Sequence, residues 1–137
     1  MSAWRHEAIE RLPEFRKEIE AADNAYALWI SLHDWLQEAY EPPGNEDRIR
    51  RIYDYLRWTC AQPRSDDADT DLFTAAACCF LEHVPGHEKS RLDMPRWFTR
   101  TQIEEMKSVF TYIEGEDGYR ALLELWGPDK PAGGGNR

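Results

Sequence analysis

Apolar side chains recur at helical spacing along most of the 137-residue chain. Trp4, Ala8, Leu12, Phe15 and Ile19 step by four, four, three and four, which is one face of a helix over residues 3–22. Pro13 interrupts that face. An interior proline costs about 3 kcal/mol and kinks or ends a helix, so the spacing predicts a joint at Leu12-Pro13. Asp23 or Asn24 can cap a second helix that runs to about Tyr40, where Pro42-Pro43-Gly44 stops it. Its apolar set is wide: Ala25, Leu28, Leu32, Trp35, Leu36 and Ala39 form the centre, and Trp29, His33, Tyr26 and Tyr40 extend it along one edge. A helix of this kind touches two neighbours, or one neighbour and a partner.

Asn45 is placed to cap a third helix, with Glu46 and Asp47 in the first turn, where the macrodipole favours anions. It buries Ile49, Ile52, Tyr53, Leu56 and Cys60 and ends at Gln62-Pro63. A polar connection over residues 65–71 leads into Leu72, Phe73, Ala76, Cys79, Phe80 and Val84, a fourth helix halted by Pro85-Gly86. Residues 87–100 have no clear period and contain Pro95, so they read as an ordered loop pinned by Leu92, Trp97 and Phe98. Thr101 with Glu104 has the spacing of a capping box for a fifth helix through Ile103, Met106, Val109 or Phe110, and Ile113. Gly115 ends it, and a short sixth helix carries Tyr119, Leu122, Leu123 and Trp126. Sustained period-two alternation is missing. The expected fold is all-α: a single-domain bundle or irregular αα stack of five to six helices over residues 1–127, followed by a flexible Gly/Pro-rich tail at 128–137.

Composition narrows the possible partners. A formal charge of −9 repels phosphate backbones, which disfavours nucleic-acid binding. No apolar run reaches the roughly 18–20 residues of a membrane span, and the first residues lack the basic and apolar regions of a leader. An odd count of three cysteines fits a reducing compartment, so the expected location is cytoplasmic, away from membranes. Charge is blocked along the chain: residues 18–47 hold eight carboxylates and no Lys or Arg, whereas residues 48–64 hold five arginines and one aspartate. Asp34, Glu38 and Glu41 fall at i, i+4 and i+7, a like-charged stripe that costs tenths of a kcal/mol. They either steer a basic partner or neutralise the arginine-rich third helix; Arg48, Arg51 and Arg57 in turn meet a phosphate or pair internally.

Known chemistries leave little trace. Asp67-x-Asp69-x-Asp71 starts like a calcium loop, but Leu72 stands where its glycine belongs and Cys78 where its bidentate glutamate belongs. His83 and His87 have the i, i+4 spacing of a zinc pair, yet Pro85-Gly86 breaks the helix between them, so a structural role is expected and no metal or cofactor is assigned. Phosphate loops, dinucleotide fingerprints, nucleophile elbows and Glu-x-x-His pairs do not occur. One cluster could form an enzyme or ligand pocket: Glu82, His83 and Arg96 beside Phe80, Leu81 and Trp97. Its structural counterpart is a helix end where His83 meets free carbonyls and Arg96 pairs with Glu82.

Phe80-Leu81-Glu82-His83, then Leu92-x-x-Pro95-Arg96-Trp97-Phe98, Phe110-x-Tyr112 and Glu116-x-x-Tyr119-x-x-Leu122 resemble a family of small bacterial all-helical proteins of unknown function, over residues 52–125. The resemblance implies a small cytoplasmic domain without assigned catalytic residues, similar in style to immunity proteins that neutralise a toxin. The resulting expectation is a non-catalytic, acidic protein-binding module, monomeric or dimeric, that neutralises a basic toxin or enzyme. Trp29, His33 and Tyr40 would form its contact core and Asp34, Glu38 and Glu41 would supply charge. The alternative is a small-ligand pocket or enzyme site at Glu82, His83, Arg96 and Trp97. A flat exposed surface at Trp29 and Tyr40 favours the first, and a partly apolar cleft favours the second.

Overall fold

Pro13 breaks the N-terminal rod at the expected joint. In the computed structural model, which describes residues 1–127, α1 (Ala3–Arg11) ends at Leu12, a 3-10 turn spans Pro13–Phe15, and α2 (Arg16–Ala21) follows. The Arg5 guanidinium satisfies the carbonyls at the end of α2, donating to Ile19 O at 2.7 Å and Ala22 O at 2.9 Å. Helix α3 (Ala25–Tyr40) starts where Asn24 accepts from the Ala27 amide, and α4 (Glu46–Cys60) where Asn45 accepts from the Arg48 amide. Both caps satisfy amides that the first turn of a helix leaves without an internal partner.

The next apolar run forms only a short α5 (Leu72–Ala76), which widens into a π-helical turn over Ala77–Leu81; there the Glu82 amide reaches back five residues to Ala77 O. After a 3-10 turn at Val84–Gly86 the chain forms α6 (Glu88–Trp97), not the expected loop. Pro95 lies in the last turn of α6, so the hydrogen bond it cannot donate to Arg91 O disturbs only the end of the helix, and the inward face is carried by Ser90 and Met94. Leu92, expected to pin the segment, is 55% exposed. The capping box sits two residues earlier than its sequence signature: Thr99 Oγ1 accepts from the Gln102 amide and Gln102 Oε1 from the Thr99 amide, so α7 (Arg100–Glu105) starts there. Helices α8 (Lys107–Thr111) and α9 (Gly115–Leu123) and a 3-10 turn at Glu124–Trp126 follow. Gly115 opens α9 in a left-handed conformation (φ +74°), which a side chain rarely adopts. The described residues are thus all-α, without strands, and their nine α-helices exceed the expected five or six because proline and π-type breaks divide the runs. The tail at 128–137 lies outside the described residues.

Helix α3 is the axis of the core. Its wide face contacts α4, α5, the π turn and α6 together, which accounts for six buried positions in sixteen residues. Trp29 is 1% exposed, between Tyr55 of α4 at 5.2 Å and Phe80 of the π turn at 5.1 Å between ring centroids. Trp35 stacks on Phe15 at 3.9 Å and ties the N-terminal turn to the same helix. Ala75, Ala76 and Ala77 are all buried, so their small side chains let α5 and the π turn approach α3 closely.

Candidate functional site

The arginines of α4 are largely used within the fold. Arg51 holds both carboxylate oxygens of Glu14 (2.9 and 2.7 Å), Asp47 and the Arg11 carbonyl; Arg48 lies 3.5 Å from Glu38; and Arg57 meets Asp54 at 3.0 Å. Internal pairing therefore engages Arg51 and Arg48, whereas Arg57 uses only Nη1 on Asp54 and stays exposed.

The expected contact surface is broken up. Trp29 is buried in the core and cannot serve as an anchor. Tyr40 is half-buried, with its hydroxyl donating to Asp93 Oδ2 at 2.5 Å; burial and that carboxylate push its ionisation well above the ordinary tyrosine value. His33 is half-buried. What remains in solvent is Asp34, Glu38 and Glu41, with Ile30, 55% exposed, one turn before Asp34. Among the described residues neither Asp34 nor Glu41 pairs with a cation.

The alternative cluster is also divided. Arg96 forms no pair with Glu82: it donates to Glu46 of α4 and, at 2.7 Å, to Asp93. Burial alone would raise the Asp93 carboxyl, but hydrogen bonds from Arg96, Tyr40 and Trp97 outweigh it and hold it below the ordinary value. Arg96, Asp93 and Tyr40 line a cleft of about 460 Å³ with Pro43, Gly44 and Glu46. Glu82 stays half-buried and its carboxyl is raised by burial. His83 does meet a free carbonyl: its Nε2–H donates to Cys78 O at 3.1 Å.

Two arrangements were hidden in the sequence. The first is a histidine cluster in which His33 lies 5.0 Å from His87 and 5.9 Å from His83, ring centroid to centroid, with its edge toward Phe80. Burial lowers the His33 pKa, and the neighbouring charges of His87 and His83 lower it further. Among the described residues no group of three or more histidine, cysteine, aspartate or glutamate side chains is arranged to hold a metal ion.

The second is a cleft of about 590 Å³ between α4, the start of α5, and the α6–α7 junction. Phe73, Trp97, Phe98, Leu56 and Met106 give it an apolar lining, Arg57, Arg64 and Gln102 bring donors, and Glu105 adds one exposed carboxylate. Trp97 is held flat by Tyr53, 4.8 Å away and within 9° of parallel, and its indole N–H donates to Asp93. The Arg57 and Arg64 guanidinium groups lie over Trp97 and Phe73 at 5.9 and 4.7 Å. From sequence, Trp97 belongs to the alternative pocket and Arg57 to the basic stripe that meets a phosphate or pairs internally. The signal for the rest was the run Tyr53, Arg57, Cys60, Arg64, which continues one face of α4 past its end and becomes basic.

No helix among the described residues is long and apolar enough to cross a membrane. No protein-family model, curated protein or solved structure matches the chain.

Proposed function

We propose that the protein is a non-catalytic binding protein for a small aromatic anion, held in the cleft between α4, α5 and the α6–α7 junction. The observation that carries this reading is the pairing of aromatic walls with two arginines in one concavity of about 590 Å³, a volume within the usual range for small-molecule sites. Trp97 and Phe73 offer ring faces for a planar ligand. Arg57 and Arg64 keep N–H donors beyond those used on Asp54 and Asp71, and a guanidinium fork fits a carboxylate, sulfonate or phosphate.

The test is a fluorescence titration with 1-anilinonaphthalene-8-sulfonate, which combines fused rings with one anionic group. Wild type should bind one equivalent. Arg57→Ser should weaken it about tenfold, since a hydrogen bond to a charged group contributes roughly 1.5–3 kcal/mol. Met106→Trp, which fills the cleft, should block the dye. Equal affinity in wild type and both variants would overturn the assignment.

A second reading is favoured by the Ile30, Asp34, Glu38 and Glu41 face of α3: a protein partner of basic character, including a toxin or enzyme neutralised in the manner of an immunity protein. Carboxylates on such a rim act on association rate more than on dissociation. Asp34→Lys with Glu41→Lys should therefore abolish affinity capture of a basic protein that wild type retains one-to-one. Identical capture by both proteins would remove this face from consideration.

A further inference from the structure

The cleft between α4, α5 and the α6–α7 junction is lined by charges of both signs from different elements. Arg57 lies on α4 and Arg64 just past its end, whereas Gln102 and Glu105 come from α7, and Glu105 is the one carboxylate of the lining. Opposite charges in one concavity tend to close on each other. These do not: Arg57 turns to Asp54 at 3.0 Å and Arg64 to Asp71 at 2.9 Å, and among the described residues no cation pairs with Glu105. Arg100 and Lys107, the basic residues on either side of it in sequence, pair with Glu104 and Glu116 instead. As the last residue of α7, Glu105 also stands at the negative end of its helix, where a carboxylate is disfavoured. Neither an ion pair nor its helix therefore accounts for its charge.

We propose that the cleft binds an aromatic α-amino acid as the zwitterion, with the carboxylate on Arg57, the ammonium on Glu105 and the ring against the apolar lining. This rests on the reading of the cleft as an aromatic-anion site and adds the ligand's second charge.

The hydrogen-bonding groups left over decide which end of the ligand goes where. Asp54 takes only Nη1 of Arg57, so the Nε–Nη2 edge of that guanidinium is free, and two parallel N–H groups on one edge match the two oxygens of a carboxylate. On Arg64 the same edge is closed, because Nε and Nη2 both reach Asp71, which leaves Nη1 and a further positive charge. Gln102 is oriented by the capping box: its Oε1 accepts from the Thr99 amide at 2.9 Å, so its remaining group is the –NH2, a donor. Arg57, Arg64 and Gln102 thus offer donors only, and the ionised Glu105 accepts only. A ligand with a carboxylate and an ammonium satisfies both sets, whereas a plain anion meets repulsion from Glu105. Net charge points the same way. The chain carries −9, which repels an anion at a distance, and a zwitterion has no net charge to repel.

The experiment is isothermal titration calorimetry of the full chain with three probes that share one ring system: L-tryptophan, 3-indolepropionate, which lacks the ammonium, and tryptamine, which lacks the carboxylate. L-Tryptophan should bind one equivalent at least about tenfold more tightly than either analogue, because an analogue without a charged group leaves that group's partner in the site unpaired. Glu105→Gln should weaken L-tryptophan about tenfold and leave 3-indolepropionate as tight or tighter. Arg57→Ser should weaken both and should not weaken tryptamine. Both substituted side chains are exposed, and thermal melts confirm that the variants are folded. Equal or tighter binding of 3-indolepropionate by wild type, or unchanged L-tryptophan affinity in Glu105→Gln, would overturn the zwitterion while the anion site stands. Binding of none of the three probes overturns it as well, and the dye titration then shows whether the anion site falls with it.

Discussion

Trp29→Ala is expected to cost about 4 kcal/mol and to lower the melting temperature by on the order of 15 °C. The side chain is 1% exposed and its indole lies between Tyr55 and Phe80, so truncation loses both the transfer free energy of the ring and two aromatic contacts. Collapse cannot recover the volume, because the walls belong to separate elements, α4 and the π turn, each held by its own packing on α3. Trp29→Phe keeps one ring in place and should cost less than half as much. Asp34→Lys, five positions along the same helix but in solvent, should change stability by less than about 0.5 kcal/mol. The measurement is a thermal melt followed by circular dichroism. A Trp29→Ala protein that melts within a few degrees of wild type would return Trp29 to the surface and revive it as a contact residue.

The placement of Trp29 shows how much of the fold was legible and where reading stopped. Helix α3, both of its boundaries and its asparagine cap follow from spacing and capping chemistry, as do α4 and the break at Pro13. Trp29, His33 and Gln37 occupy an edge that looks free only if nothing packs there. What packs there is the π turn, the 3-10 turn and α6, through Phe80, His83, His87 and Ser90. Residues 87–100 look like a loop because α6 presents Ser90 inward, Leu92 outward and a proline in its last turn, three local signals against an amphipathic helix. Ser90 is tolerated inside because it donates to Val84 O and accepts from Gln37, bonds that no periodicity reveals. The π turn, through Phe80, thus puts into the core a tryptophan that the helical wheel places at an open edge. The same gap concealed the histidine cluster, since His33 and His87 meet only once α6 is in place. The cleft was hidden for a related reason: its two arginines lie past the point where α4 faces the core, and its far wall comes from α6 and α7.

Asp71 combines a helix cap with the one buried carboxylate among the core residues, and its loss should be the next largest effect. Its side chain is 1% exposed and accepts from the Ser65 amide at 2.8 Å, the Thr74 amide at 3.1 Å, Thr74 Oγ1 at 2.6 Å and Arg64. The Arg64 side chain is 62% exposed, so the ion pair itself contributes little; the weight lies in the hydrogen bonds that join the 65–71 connection to the start of α5. Asp71→Ala strands two amides and a hydroxyl, and should cost about 3 kcal/mol from the loss of an N-cap and of charge-assisted bonds together. Asp71→Asn keeps an acceptor and should cost roughly half of that. The Arg64 guanidinium, the Thr74 hydroxyl and the two amides also hold the Asp71 carboxyl well below the ordinary aspartate value. A folded-state pKa below the unfolded one, about 3.9, gives stabilisation that is complete above the unfolded value and is lost as the pH falls from there toward the folded value. Urea melts between pH 7 and pH 2.5 should show wild type losing stability more steeply below about pH 4.5 than Asp71→Asn does, so the two curves converge in acid. Parallel curves would mean that the carboxylate carries no more charge-dependent stabilisation in the folded chain than in the unfolded one, and that Asp71 acts through its shape as a cap alone.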